Sequence, residues 1–103
     1  MLVSNFSILD RKSMSFGPIF QGPNVDVAKR SIISSLSKDN QMVLYPADFT
    51  LVHLSDFDTE TGETIKFSGS FYHEVAQLVD LIPDKFKQFA LDGSFPNGNA
   101  VIL

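Results

Sequence analysis

The sequence predicts an α+β domain: a small antiparallel sheet in β-α-β-β-α order, with a hairpin at about 50–67 and two helices packed on the sheet. Three observations predict it. Val25, Ala28, Ile32 and Leu36 recur at steps of three and four, the period of a helix with one apolar face. Residues 50–57 and 64–67 are β-favourable runs joined by a short acidic loop that closes on Gly62. Of 103 residues, 44% are hydrophobic and ten are Phe, with no cysteine, so one packed core has to hold the chain together without staples. A chain of this length buries about two-thirds of its unfolded surface, which suits one domain over residues 1–103, with 91–103 as an extended tail.

The elements follow in order. Asn5 to Lys12 is a short β-favourable run closed by charge and reads as the first strand. Residues 13–24 hold two Gly-Pro steps, which exclude a regular helix, so the segment reads as a loop. Met14, Phe16, Ile19 and Phe20 in it require that part of the loop lie against the core. Asn24 is a good N-cap, and the helix it opens runs to about Lys38–Asn40. Met42–Tyr45 is a short apolar run cut by Pro46. In the hairpin, Asp58 is placed to accept hydrogen bonds from the turn's own N–H groups, and Gly62 supplies the left-handed residue of a type I turn with a bulge. Ser70 then caps a second helix whose face is Val75, Leu78, Val79 and Ile82, ended or kinked by Pro83. Phe86, Phe89 and Ala90 extend a short helical period, Asp92-Gly93 and Asn97-Gly98 are turn signals, and Ala100–Leu103 is an apolar tail.

Charge and composition narrow the function. The net charge is −4, but it is unevenly spread. Residues 1–45 carry five cations against three anions, and residues 46–103 carry three against nine. A protein that coats nucleic acid by charge alone is basic, so a nucleic-acid role here needs a local cationic face with aromatic contacts. No run approaches 18 apolar residues and no basic and apolar leader opens the chain, so neither a membrane span nor a secretory signal is expected.

Catalytic and metal sites find no support. His53 and His73 are the only histidines, and spacing supplies neither a third ligand nor a catalytic partner. Asp56, Asp58 and Glu60 open like a calcium loop, but glycine falls at position seven and Phe67 stands at position twelve where a bidentate Glu is needed. A solvated hairpin tip accounts for the cluster. No phosphate-binding glycine loop or nucleophile elbow occurs. The expectation is therefore no enzyme, no cofactor and no metal. What remains is Arg11, Lys12, Lys29 and Arg30, interleaved with Phe16 and Phe20. Cations for phosphates and ring faces for bases are the mixture that holds single-stranded nucleic acid. Core phenylalanines with an ordinary charged rim account for the same residues equally simply.

Ile8-Leu9-Asp10-Arg11-Lys12, Phe16-Gly17-Pro18-Ile19-Phe20 and Asn24 with Ala28-Lys29-Arg30 resemble the opening of the small nonstructural protein of gokushoviruses, single-stranded DNA phages of the microvirus group. Tyr45-Pro46-Ala47-Asp48-Phe49-Thr50-Leu51, followed by Asp56-Phe57-Asp58-Thr59-Glu60-Thr61-Gly62, is similar to that family's P-x-D-[FY]-x-L run and its E-F-D-x-x-T-G block. The likeness covers about residues 5–66. Ser55-Asp56 departs from an expected Gly-Glu, and Ile19 from an expected Pro. The resemblance implies a nonstructural phage protein of the host cytoplasm, a DNA-binding role in replication or packaging, and no enzyme or cofactor. It places Arg11, Lys12 and Arg30 at family-like positions, with Lys29 in the same segment. The rival expectation is an acidic protein–protein adaptor, working as a homodimer on a phage replication or assembly protein or a host factor, with the tail adding as an edge strand. A homodimer is compatible with both readings.

Overall fold

The computed structural model describes residues 1–95. Two long strands form its spine: β1 (Leu2–Asp10) runs antiparallel to β4 (Phe49–Asp58), in register from Leu2 opposite Asp58 to Asp10 opposite Phe49. Each has a second edge whose N–H and C=O groups need partners. Along the outer edge of β1, β2 (Ser15–Phe16) and β3 (Phe20–Gly22) lie end to end. Along the outer edge of β4 lie β5 (Thr64–Lys66) and β6 (His73–Gln77). All pairings are antiparallel, and the sheet is four strands wide.

Two bulges re-aim it. Leu54 is unpaired between Ser55 opposite Asn5 and His53 opposite Phe6. Val75 is unpaired between Ala76 opposite Leu51 and Glu74 opposite Val52. Each puts an extra residue into one strand, bending it and sharpening its twist.

The α+β class, the hairpin, and the cap and apolar face of the first helix are as the sequence predicts. In the hairpin, Asp58 Oδ1 accepts from the N–H groups of Glu60 (2.9 Å) and Thr61 (3.4 Å), and Gly62 N donates to Asp58 O (2.8 Å). Gly62 has φ +78°, a conformation that glycine adopts without a Cβ penalty. Helix α1 (Val25–Ser35) is capped by Asn24, whose Oδ1 accepts from Val27 N at 2.9 Å. Its inward residues Ala28 and Ile32 pack with Phe6, Leu51 and Leu78 to form the main core.

Several expectations need correction. The first strand is Leu2–Asp10, shifted toward the amino end from 5–12. The 13–24 loop contains β2 and β3, because the outer edge of β1 takes its partners from that segment. Helix α1 stops at Ser35, short of 38–40: the hydroxyls of Ser34 and Ser35 donate to the carbonyls of Arg30 and Ile32, and Leu36 is already extended. A second short helix, α2 (Gln41–Leu44), follows from the apolar run before Pro46, with Asn40 as its cap.

The largest difference is the second predicted helix. Residues 73–77 are strand β6, and 78–80 form a single 3₁₀ turn. Ser70 does not cap a helix, since its hydroxyl donates to Tyr72 O. The helical spacing of Val75, Leu78, Val79 and Ile82 is overridden because the outer edge of β4 between Thr50 and His53 is completed by this segment. Helix α3 is one turn, Asp84–Lys87. Beside it Leu36, Val43 and Ile82 make a second apolar cluster with Phe86 and Phe89. The order is thus β-β-β-α-α-β-β-β-α in place of β-α-β-β-α. Gly93 takes φ +80° in the expected Asp92-Gly93 turn, whereas Asn97-Gly98 and the Ala100–Leu103 tail lie outside the described residues.

Candidate nucleic-acid interface

Arg11 and Lys12 sit in the turn between β1 and β2. Asp10 Oδ1 shapes that turn by accepting from Lys12 N (2.9 Å) and Ser13 N (3.4 Å), and Met14 closes it at φ +57°. Arg11 is tethered: its backbone N–H donates to Asp48 O and its guanidinium to Ala47 O. Four of a guanidinium's five donors remain after that one bond. The Lys12 side chain is exposed. On α1, Arg30 is exposed on the side away from the inward Ala28 and Ile32, and Lys29 stands half-buried at the border. Among the described residues, none of these four cations is ion-paired; the carboxylates engage the terminal amine, His53 and Lys87.

The two predicted rings differ. Phe16 is 47% exposed and touches Tyr72 edge to face at 5.4 Å. Phe20 is half-buried: it stacks on Phe6 at 5.8 Å and packs against the main core, so one ring face is already covered.

Register decides which of these groups share a surface. Side chains alternate faces along a strand. Phe6, Ile8 and Leu51 point toward α1. Phe16 pairs with Leu9, on the opposite face, together with Ser7, Thr50 and Val52. The Phe16 ring and the Lys29–Arg30 pair therefore stand on opposite sides of the sheet. The six residues do not make one continuous patch.

Two transverse rows cross the four strands. On the α1 face, Phe20, Phe6, His53 and His73 are successive register partners. The Phe67 ring meets His53 edge-on (4.7 Å) and stacks on His73 (3.9 Å), while His53 Nε2 lies 2.9 Å from Asp56 Oδ1. On the other face the row is Gln21, Asn5, Ser55 and Lys66. Gln21 Nε2 donates to Asn5 Oδ1 (3.0 Å), and Asn5 Nδ2 donates to Ser55 Oγ (2.9 Å). Among the described residues no three His, Cys, Asp or Glu side chains gather as a metal site would require.

The second row ends in a groove of about 620 Å³ walled by Ile19 and by the loop that joins β5 to β6. Phe71 in that loop is 94% exposed and Ile19 is 65% exposed. Sequence reasoning missed Phe71, because residues 70–82 read as a helix, and it counted Ile19 among the loop residues of which part lies against the core, where Phe20 packs and Ile19 does not. The available signal was the Ser68-Gly69-Ser70 break followed directly by Phe71-Tyr72: large rings beside a breaker stand on a loop.

Comparison with protein families matches residues 3–80 to the Phage ORF5 protein family. The chain belongs to that family. The matched span takes in the six strands except Leu2 of β1, together with α1, both cationic segments and the groove, and reaches beyond the 5–66 of the sequence resemblance. Helix α3 lies outside it, toward the carboxyl end. No curated protein and no solved structure matches the chain. This phage protein has, among its described residues, no helix long and apolar enough to cross a membrane.

Proposed function

We propose that this Phage ORF5 protein is a nonstructural, non-enzymatic factor that binds single-stranded DNA during viral replication or packaging in the host cytoplasm. The observation that carries the reading is the state of the amino-terminal cations. In a chain of net charge −4, Arg11, Lys12, Lys29 and Arg30 are all free of carboxylate partners among the described residues. Unneutralised cations are the groups that release counterions from a phosphate backbone. The acidic hairpin tip ties its carboxylates into its own turn and onto the terminal amine, which leaves it to discourage non-specific adhesion. The gokushovirus resemblance supports a single-stranded target.

The strand reaches both sides of the sheet by passing around a molecule only 24 × 17 Å in cross-section. Lys29 and Arg30 hold phosphates on the helix side, and Arg11 and Lys12 hold them at the turn. Phe16 offers a stacking face on the opposite side, and Phe20 offers what the core leaves uncovered. Anisotropy titrations against single-stranded and duplex DNA of equal length test this. Salt-sensitive preference for the single strand is expected, and absence of binding at low salt ends the reading.

One observation favours a second reading, a homodimeric adaptor for a phage replication or assembly protein. Leu2 and Ile65 are exposed on the α1 face of the sheet, at the end away from the main core. Light scattering of the full chain measures the dimer directly.

A further inference from the structure

We infer that the groove between the 17–19 loop and the β5–β6 loop is a binding pocket for a single nucleotide, with the base on Phe71 and the phosphate at Lys66. Four observations lead there. First, the groove holds about 620 Å³, within the range of about 300–1,000 Å³ typical of small-molecule pockets. Second, its charge is selective. Lys66 is the only ionisable residue in the lining, no carboxylate accompanies it, and among the described residues it makes no ion pair. Residues 46–103 carry nine anions against three cations, so a groove of pure positive charge there is complementary to an anion.

Third, the Phe71 ring that lines the groove is almost wholly exposed, and Ile19 lines the same groove. A large apolar ring held in water is unfavourable by its whole transfer free energy, and a planar base covers it at low cost in order. Fourth, the floor offers a polar group. Ser55 is buried, and its oxygen accepts from Asn5, which is itself held by Gln21. Its own O–H makes no hydrogen bond among the described residues and is left to donate into the groove. A flat apolar ring, an isolated cation and a hydroxyl with its donor unspent match a base, a phosphate and a carbonyl or ring-nitrogen acceptor on the base. A purely apolar occupant leaves Lys66 and the Ser55 hydroxyl unused.

The inference takes from the single-strand reading only the identity of the polymer that brings the nucleotide. The chain contains no Trp, so Phe71→Trp installs a unique fluorophore in the groove lining. Circular dichroism confirms that this variant, Phe71→Ala and Lys66→Gln fold like the parent. With oligo-dT, Trp fluorescence at 71 is expected to be quenched on binding. Phe71→Ala is expected to weaken anisotropy-measured affinity by between about fivefold and a hundredfold, the range of one stacked base. Lys66→Gln is expected to lower the salt slope by about 0.7, one phosphate contact on a single strand. If the parent binds oligo-dT while position 71 is not quenched and Phe71→Ala binds equally well, the groove inference is overturned and the single-strand reading stands. If the parent binds no DNA, that reading fails and the groove is judged by titrating the Trp variant with dTMP and dAMP: saturable quenching upholds it, and none overturns it. Quenching that tracks protein concentration without nucleotide makes the groove a self-association surface and overturns it too.

Discussion

Neutralising the helix pair, Lys29→Gln with Arg30→Gln, is the perturbation that tests whether a single strand touches both sides of this molecule. Each phosphate contact contributes about −0.7 to the slope of log affinity against log salt for a single strand. Four cations without carboxylate partners, on the turn and on α1, therefore contribute about −3 to the slope, apart from any contact at Lys66. Between 50 and 200 mM salt that contribution is a loss of about fiftyfold in affinity. Removing two contacts halves that contribution to about −1.4, so the same change of salt costs only about sevenfold through these groups. Neither residue supports the fold through an ion pair among the described residues, so stability should hold and the comparison stay clean. Anisotropy across four salt concentrations, parent against variant, reads both slopes. An unchanged slope in the double variant refutes the wrapped geometry: it leaves α1 as a solvated helix and confines contact to the turn and the opposite face.

Three further outcomes concern the fold that carries these surfaces. Asn5→Ala deletes the centre of the Gln21–Asn5–Ser55 row at a buried position, and should lower unfolding free energy by about 1–3 kcal/mol in a urea titration. A loss under about 0.5 kcal/mol would mean that water replaces the row without penalty. Asn24→Ala removes the α1 cap and should cost about 0.5–2 kcal/mol, while Asn24→Asp, which keeps the acceptor, should cost little. Burial works against the Asp92 carboxylate, yet hydrogen bonds from Ser94 and from Ala47 N outweigh it and hold the pKa below its ordinary 3.8. Its stabilising effect is thus complete above that value and fades as pH falls through it toward the folded pKa. Asp92→Asn should flatten the acid limb of melting temperature against pH, and an unaltered limb would remove Asp92 from the account.

Local signals in the sequence determined whatever is decided within a few residues. The Asn24 cap, the three-and-four spacing that buries Ala28 and Ile32, and the Asp58-to-Gly62 turn each satisfy their own backbone groups, so no distant partner was needed to read them. The cation excess of residues 1–45 was legible as a count, but that its cations stay without carboxylate partners among the described residues was decided by the structure. Tertiary structure decided the rest. Residues 73–77 carry helical spacing and became a strand because the outer edge of β4 is completed there. Phe20 went to the core, and Phe16 to the far face from Lys29 and Arg30, because strand register, fixed across four strands and two bulges, sets the direction of every side chain. The groove exists only where that register brings Ser55 and Lys66 side by side beneath loops that are distant in the chain. No local pattern encodes such a meeting, because its energy comes from pairing and burial between segments that touch only once the sheet has closed.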